Sequence, residues 1–276
     1  MNQHFIITRF NLRKQGWNTT REKTQVLTDA WMENRLNLFE QFCYPSVRAQ
    51  TQQNFTWLVF FDTKTAAKYK KRIHSLALRF PQFKPKYIDG MDEFLPSIKG
   101  EIGNLLHKPY LITSRLDNDD CLHEDYVKTI QGEFARQDFM AIDIIDGLTL
   151  QIEPRVRLGR RRHVNNPFIS LIERADNFAS VWSRERHGEW KKVSKIKTIQ
   201  NHALWLSIIH KENKANDFLG FGDLDWTALN PFHLDKDLSK KLQKEQIPYQ
   251  SWKAEALKNQ FRTQWKVFFK LLQRRF

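Results

Sequence analysis

The chain has 276 residues, with 45 Lys and Arg against 31 Asp and Glu, a formal charge of +14 at pH 7. Hydrophobic residues make up 41% and aromatic residues 13%, including nine Trp and twenty-one Phe, which supplies an ample core and excludes wholesale disorder. Its two cysteines, Cys43 and Cys121, sit in dissimilar surroundings, which argues against a disulfide framework or a Cys-ligated zinc site and for a reducing compartment.

No apolar run approaches the ~20 residues that span a bilayer. The opening MNQHFIITRFNLRK lacks a charged region before its apolar stretch and a small-residue cleavage site, so it reads as a first strand of a cytoplasmic protein. The surplus positive charge then calls for an anionic partner: nucleic acid, a phosphorylated small molecule or a lipid surface.

In chain order, Phe5–Thr8 form a short buried strand. From Thr24 to Cys43 the apolar residues recur at helical spacing, and Pro45 is expected to stop that helix. Residues 55–61, FTWLVFF, form a second strand ended by Asp62; 66–79 is a helix and 86–88 a short strand before an Asp89-Gly90 turn. Residues 109–114 form a further strand that runs into Arg115-Leu-Asp-Asn-Asp-Asp120, followed by a helix over 122–134. Strands alternating with helices, each strand followed by a polar cluster, predict an open α/β sheet that binds its ligand beyond the carboxyl ends of the strands.

The second half is less regular. Strands are predicted at 140–145 and 147–152, joined by a turn at Asp146-Gly147, and five arginines fall within 155–162. Residues 165–173 read as an ordered loop entering a helix or strand, and 202–210 as buried chain. The last 26 residues carry seven basic residues against Glu255, leaving about +8 for the rest. There Leu257, Phe261, Trp265, Phe268, Leu272 and Phe276 fall at helical spacing beside Arg262, Lys266, Lys270 and Arg274, a basic amphipathic helix. Such a stripe packs on the protein's own core or lies on an anionic membrane, and its width alone does not separate the two.

The most informative segment is Asp117-Asn-Asp-Asp120, three carboxylates in four positions just past an apolar strand. Close like charges raise each other's pKa, so they call for a compensating cation. A divalent metal suits carboxylate oxygens and shares them with substrate phosphates, where it neutralises a departing diphosphate. The alternative is a solvated turn that caps the following helix.

Six blocks, in order, carry a resemblance: ITRFNLR at 7–13, RLNLFEQFCYPSVRAQT at 35–51, FTWLVFFD at 55–62, LITSRLDNDDCLHEDYV at 111–127, NNPFISLIE at 165–173 and WLSIIHKEN at 205–213. Over about residues 5–220 the chain resembles a bacterial rhamnosyltransferase family with a GT-A glycosyltransferase fold. The resemblance implies an α/β fold with an open mixed sheet flanked by helices. It divides the chain into one GT-A-like domain over 1–235 (a nucleotide-sugar half, 1–125, and an acceptor half, 126–235) and a basic C-terminal extension over 236–276. It implies transfer of a sugar, rhamnose first among candidates, from dTDP-rhamnose or another nucleotide diphosphate to a glycan or lipid-linked glycan in surface polysaccharide synthesis.

In that frame Asp117, Asn118 and Asp119 occupy the DxD-type position, with Asp120 beside it. The expected metal ligands are Asp117, Asp119, Asp120 and a late histidine, His210, holding Mg²⁺ or Mn²⁺; His210 reads equally as a packed boundary residue. Asp62 matches a nucleoside contact or, alternatively, a loop cap. Thr8 and Arg9 end the first strand at the same edge and are expected to meet the donor's base or phosphates, and Arg115 reads as a phosphate contact or a brace for the carboxylates. A base must deprotonate the acceptor hydroxyl; Glu173 is the first candidate and Asp146 the second, with a surface role the alternative for Glu173. If the family makes α-linkages from a β-linked donor, the reaction is inverting.

Besides a catalytically inactive membrane adaptor with a merely structural acidic loop, which the intact acidic motif disfavours, two rivals stand beside this reading. One is the same chemistry with another nucleotide sugar. The other, from a different class, is a basic nucleic-acid-binding protein, disfavoured because no nucleic-acid motif occurs and the aromatics sit in core-like periods. The expected partners are thus a nucleotide sugar, a glycan acceptor and no nucleic acid. An anionic membrane is expected to meet Phe261, Arg262, Trp265, Lys266 and Lys270, making the protein peripheral on the inner face of the cell membrane.

Overall fold

A computed structural model describes residues 1–16, 25–184, 187–213 and 217–274. Thr24, the expected helix start, and Phe276, the expected end of the apolar stripe, lie outside these residues. The first half contains β1 (Asn2–Arg9), α1 (Asp29–Leu38), α2 (Tyr44–Arg48), β2 (Thr56–Asp62), α3 (Ala67–Arg79), β3 (Phe83–Ile88), α4 (Phe94–Leu105), β4 (Tyr110–Arg115), β5 (Cys121–Leu122) and α5 (Tyr126–Gly132). The second contains β6 (Phe139–Ile144), β7 (Asp146–Gln151), β8 (Arg157–Arg162), β9 (Ser170–Arg174), β10 (Ile196–Ile199), β11 (Trp205–Ile209), α6 (Lys236–Glu245) and α7 (Lys253–Gln273).

Seven strands form a sheet in the order β10-β6-β9-β4-β1-β2-β3, and a smaller sheet runs β5-β11-β7-β8. Strands β3, β2, β1 and β4 are parallel; β9 runs antiparallel to both its neighbours. The strand period of two divides the core between the faces of the large sheet. Ile6, Trp57, Val59 and Phe61 face Leu36, Phe39 and Ile73. Phe5, Ile7, Leu58 and Phe60 face Phe94, Ile98, Ile102 and Trp182. The fold is thus a mixed α/β sheet flanked by helices, with a helix at the C-terminal end.

Several local expectations change. Pro45 does not stop the helix: α1 passes through a π-helical turn, Phe39–Cys43, into α2, with Pro45 in its first turn. There the missing N–H of proline costs little, and the Gln41 carbonyl, four residues back, accepts the Asp235 N–H instead, at 3.0 Å. Thr28 caps α1, its side chain accepting the Trp31 N–H at 3.2 Å. Asp146-Gly147 is not a hairpin turn, because β6 and β7 belong to different sheets. Gly147 lies in β7 under the Trp205 indole, where a Cβ would come within 2.2 Å of the ring. The helix expected over 122–134 is shorter, since Cys121 and Leu122 pair with β11.

The C-terminal helix docks by a face of small residues. Ala256, Asn259, Thr263 and Val267 are buried. Asn259 donates to the Gly220 carbonyl at 3.1 Å, Arg157 pairs with Glu255 at 2.6 Å, and Arg274 donates to buried Asp143 at 2.5 Å. The aromatic stripe does not pack on the core; it points to solvent.

Candidate active site

Strands β1, β2, β3 and β4 end along one edge of the large sheet, at Arg9, Asp62, Ile88 and Arg115. The acidic loop 117–120 follows β4 at this edge. What shapes the loop is β5. Cys121 and Leu122 pair antiparallel with Leu206 and Trp205, and Asp120 continues the tie, its Oδ1 accepting the Ile208 N–H at 2.9 Å. β11 therefore runs back past the loop and delivers His210 to Asp119.

Asp119 Oδ2 meets Arg35 Nη1 at 2.7 Å, His210 Nε2 at 2.9 Å and Asn213 Nδ2 at 3.2 Å. Arg35 rises from α1, on a face otherwise made of Trp31, Met32 and Leu36. The guanidinium also lies 5.4 Å from the Trp31 ring. Burial alone pushes the Asp119 pKa up, but Arg35 and His210 outweigh it and hold the carboxyl well below the usual range. Asp120 has the opposite fate: burial first, then the charges of Asp119 and Asp117, push it well above the carboxylate range. Its Oδ1 is taken by the Ile208 amide, so this side chain stitches the loop to β11.

Arg115 ends β4 with its guanidinium 3.9 Å from the Trp182 ring, and Arg9 lies over the same ring at 5.4 Å. Arg115 Nη2 is 3.5 Å from Asp117 Oδ1. Burial lowers the Arg115 pKa against the pull of Asp117, and the neighbouring positive charge of Arg9 lowers it further. Two guanidiniums gathered on one indole beside an acidic loop are a ready anion receptor. Asn118 donates to the Arg9 carbonyl at 3.1 Å and lies 3.4 Å from that of Phe10, tying the loop to the β1 exit. Its buried Oδ1 has no hydrogen-bond partner among the described residues.

Other expectations are corrected by what the side chains already hold. Thr8 is fully buried and accepts the Trp57 indole N–H at 3.0 Å, so it faces the core and not a ligand. Asp62, 2% exposed, takes the Arg13 side chain at 2.8 Å and the Lys64 amide at 2.9 Å. Burial opposes its ionisation, yet these bonds hold its pKa below the usual range. It braces the 62–65 turn and presents Arg13, which also pairs with Asp89; the loop-cap alternative is the one realised.

Glu173 lies toward the far end of the sheet, level with Leu111 in β4, whereas Ser170 is level with Ser114 at the site end. Its carboxylate accepts the Ala179 and Ser180 N–H groups, both at 2.8 Å. That geometry makes it a structural loop anchor and removes it as the base. Asp146 is likewise committed, to Arg162 at 2.6 Å and the Asn201 N–H at 2.7 Å. Arg35, Asn213 and Trp182 are the site residues that sequence reasoning missed. Only Arg35 left a signal, a basic residue on the apolar face of a helix.

Among the described residues no three His, Cys, Asp or Glu side chains converge as a ready metal cage. Of the expected ligands, the fold brings Asp119 and His210 together, on a carboxylate oxygen that Arg35 and Asn213 also bind. Mg²⁺ is commonly held by one or two carboxylates plus substrate phosphates, so a carboxylate beside an imidazole suits it in kind.

An open α/β sheet with an acidic loop and a pair of guanidiniums at the carboxyl ends of its strands is the usual arrangement of a ligand-binding edge. Residues 3–220 match the family described as "putative rhamnosyl transferase", and the chain belongs to that family. No curated protein matches the chain. Similar solved structures include Staphylococcus aureus TarS 1–349 in complex with UDP, at 9% identity and a TM-score of 0.42, covering 75% of this chain and 60% of that one. Another is the mannosyltransferase PcManGT from Pyrobaculum calidifontis with GDP-Man and Mn²⁺, at 9% identity and a TM-score of 0.43, covering 77% of this chain and 58% of that one. The chain thus spans less than two thirds of these proteins' length.

Proposed function

We propose that the protein transfers rhamnose from a nucleotide diphosphate, dTDP first, to an acceptor hydroxyl of a surface glycan, with a divalent cation bound at Asp119 and His210. The observation that carries this reading is the meeting of Asp119 and His210 beside the Arg9–Arg115 pair, in a chain of the rhamnosyl transferase family. Arg115 and Arg9 hold the donor diphosphate, and Asp117, half exposed beside Arg115, faces the same ligand. Asn118 offers its unpartnered Oδ1 to a ligand hydroxyl, because a buried acceptor is ordinarily satisfied. Mg²⁺ or Mn²⁺, when bound, supplies Lewis-acid neutralisation of the leaving diphosphate. Arg35 keeps Asp119 ionised and fixed for that task.

The reaction is an inverting single displacement. The acceptor oxygen attacks C1 of the sugar, the C1–O bond to the diphosphate breaks, and the nucleoside diphosphate leaves. The Arg9 and Arg115 guanidiniums carry the charge of the leaving group; the acceptor proton passes to a base other than Glu173.

The test is thermal unfolding with dTDP, UDP and GDP, each with Mn²⁺ or EDTA, followed by mass spectrometry of products with dTDP-rhamnose. A ligand at 100 times its Kd stabilises by about 2.7 kcal/mol. Stabilisation by dTDP that needs Mn²⁺ supports the reading. Stabilisation by UDP or GDP alone reassigns the donor, and no response to any of the three overturns the site.

A further inference from the structure

α7 carries six large apolar side chains in solvent: Leu257, Phe261, Trp265, Phe268, Phe269 and Leu272, each between 38% and 66% exposed. At about 3.6 residues per turn they fall on the side roughly opposite the docked residues Ala256, Asn259, Thr263 and Val267. The helix is pinned in that rotation by Asn259 at Gly220, Lys270 at the Val164 carbonyl (3.2 Å) and Arg274 at Asp143. The stripe therefore cannot roll inward. From Leu257 to Leu272 it runs ~22 Å at 1.5 Å per residue. A contiguous apolar surface of this kind marks an interaction face.

Charge identifies what covers it. Lys258, Arg262 and Lys266, all exposed, follow one another at four-residue spacing along one flank of the stripe. A second copy of this chain seated on the same face would bring one such row toward another, like charge against like. An anionic lipid surface meets both features at once, with acyl chains for the rings and headgroup phosphates for the cations.

We infer that α7 seats this protein on an anionic lipid surface, its aromatic stripe in the headgroup–acyl boundary and Lys258, Arg262 and Lys266 on lipid phosphates. The seat adjoins the site. Lys270 holds the Val164 carbonyl, the next residue's carbonyl meets His187 Nδ1 at 2.5 Å, and His187 lies within electrostatic reach of Arg115 and Asp117. A lipid-borne acceptor would thus reach the acidic loop from the membrane side; this orientation rests on the glycosyltransferase reading, whereas lipid binding itself does not.

The experiment is co-sedimentation of the full chain with phosphatidylcholine vesicles with and without phosphatidylglycerol, at low and high salt. The intact protein should sediment only with phosphatidylglycerol present, and less so at high salt. Arg262→Gln and Lys266→Gln should each weaken partitioning about fivefold, the equivalent of ~1 kcal/mol per charge. The triple variant Phe261→Ser/Trp265→Ser/Phe268→Ser should lose vesicle binding while its melting temperature and nucleotide binding stay unchanged. Failure of the intact chain to bind, or undiminished binding by the triple variant, overturns the inference. So does a dimer in sedimentation equilibrium that the triple variant dissolves, since the stripe would then belong to a second copy.

Discussion

Asp119→Asn keeps the shape of the side chain at the centre of the site and removes its charge. Arg35 and Asp119 form an ion pair at 2.7 Å with both side chains only 11% exposed. Breaking one side of such a pair costs about 3–5 kcal/mol, here with the more distant Glu212 carboxylate, at 3.9 Å, left as the remaining anion beside Arg35. For a chain of 276 residues, each kcal/mol lowers the melting temperature by about 2 °C, so the expected drop is about 6–10 °C. Arg35→Met should cost a similar amount by stranding Asp119. The double variant removes both charges, and replacing a whole buried pair is often near neutral; its melting temperature should recover most of the loss. Transfer should be absent in all three, because the ionised carboxylate is gone or its orientation lost. Differential scanning calorimetry in EDTA separates the pair from any bound cation, and a product assay reads the site. Additive losses in the double variant would refute the pairing, and full transfer by Asp119→Asn would refute the site.

Glu173→Gln sets one amide donor against an N–H group where the carboxylate now accepts two, which costs about 1–3 kcal/mol and lowers the melting temperature by a few degrees while leaving turnover within a fewfold. A loss of a hundredfold or more in kcat would return Glu173 to the catalytic machinery. His4, buried against Ser114 at 2.8 Å, has its pKa lowered by burial to about 3. Its folded pKa lies below the unfolded value of about 6.5, so the stability it protects is present above pH 6.5 and lost as pH falls toward 3, a few kcal/mol across that window. Urea titrations across that window should show the decline, and His4→Gln should flatten it; an equally steep decline in the variant would remove His4 as its source.

The parts of this fold that can be read from sequence are those made by one segment. The strands FIIT, FTWLVFF and YLITS show themselves as apolar runs ended by polar residues, and the acidic loop follows the last of them. α4 escapes such reading because Pro96, Gly100 and Gly103 interrupt it, yet Pro96 sits in the first turn, where its missing N–H is harmless, and Phe94, Ile98 and Ile102 form its buried row. The Asp146-Gly147 pair shows the reverse error: the glycine answers to the Trp205 ring, a neighbour 58 positions away in the chain. Glu173 misleads for a related reason, since a strand-end carboxylate serves amides as readily as it serves a substrate. The Asp119 cluster is assembled from α1, the acidic loop and the end of β11, and no local pattern announces Arg35 or Asn213 as its members.

The three crowded carboxylates raise a question of charge that the fold answers without a metal. Asp117 stays near the surface beside Arg115, Asp119 sits against Arg35, and Asp120 is buried on the Ile208 amide, its pKa raised by burial and by its two neighbours. Repulsion among them is relieved by giving each a different environment, so crowding alone is no argument for a cation. The case for one stands on a different observation, the arrival of His210 at Asp119. That arrival depends on Asp120: its bond to the Ile208 amide continues the β5–β11 pairing and sets the register that ends with His210 at the site.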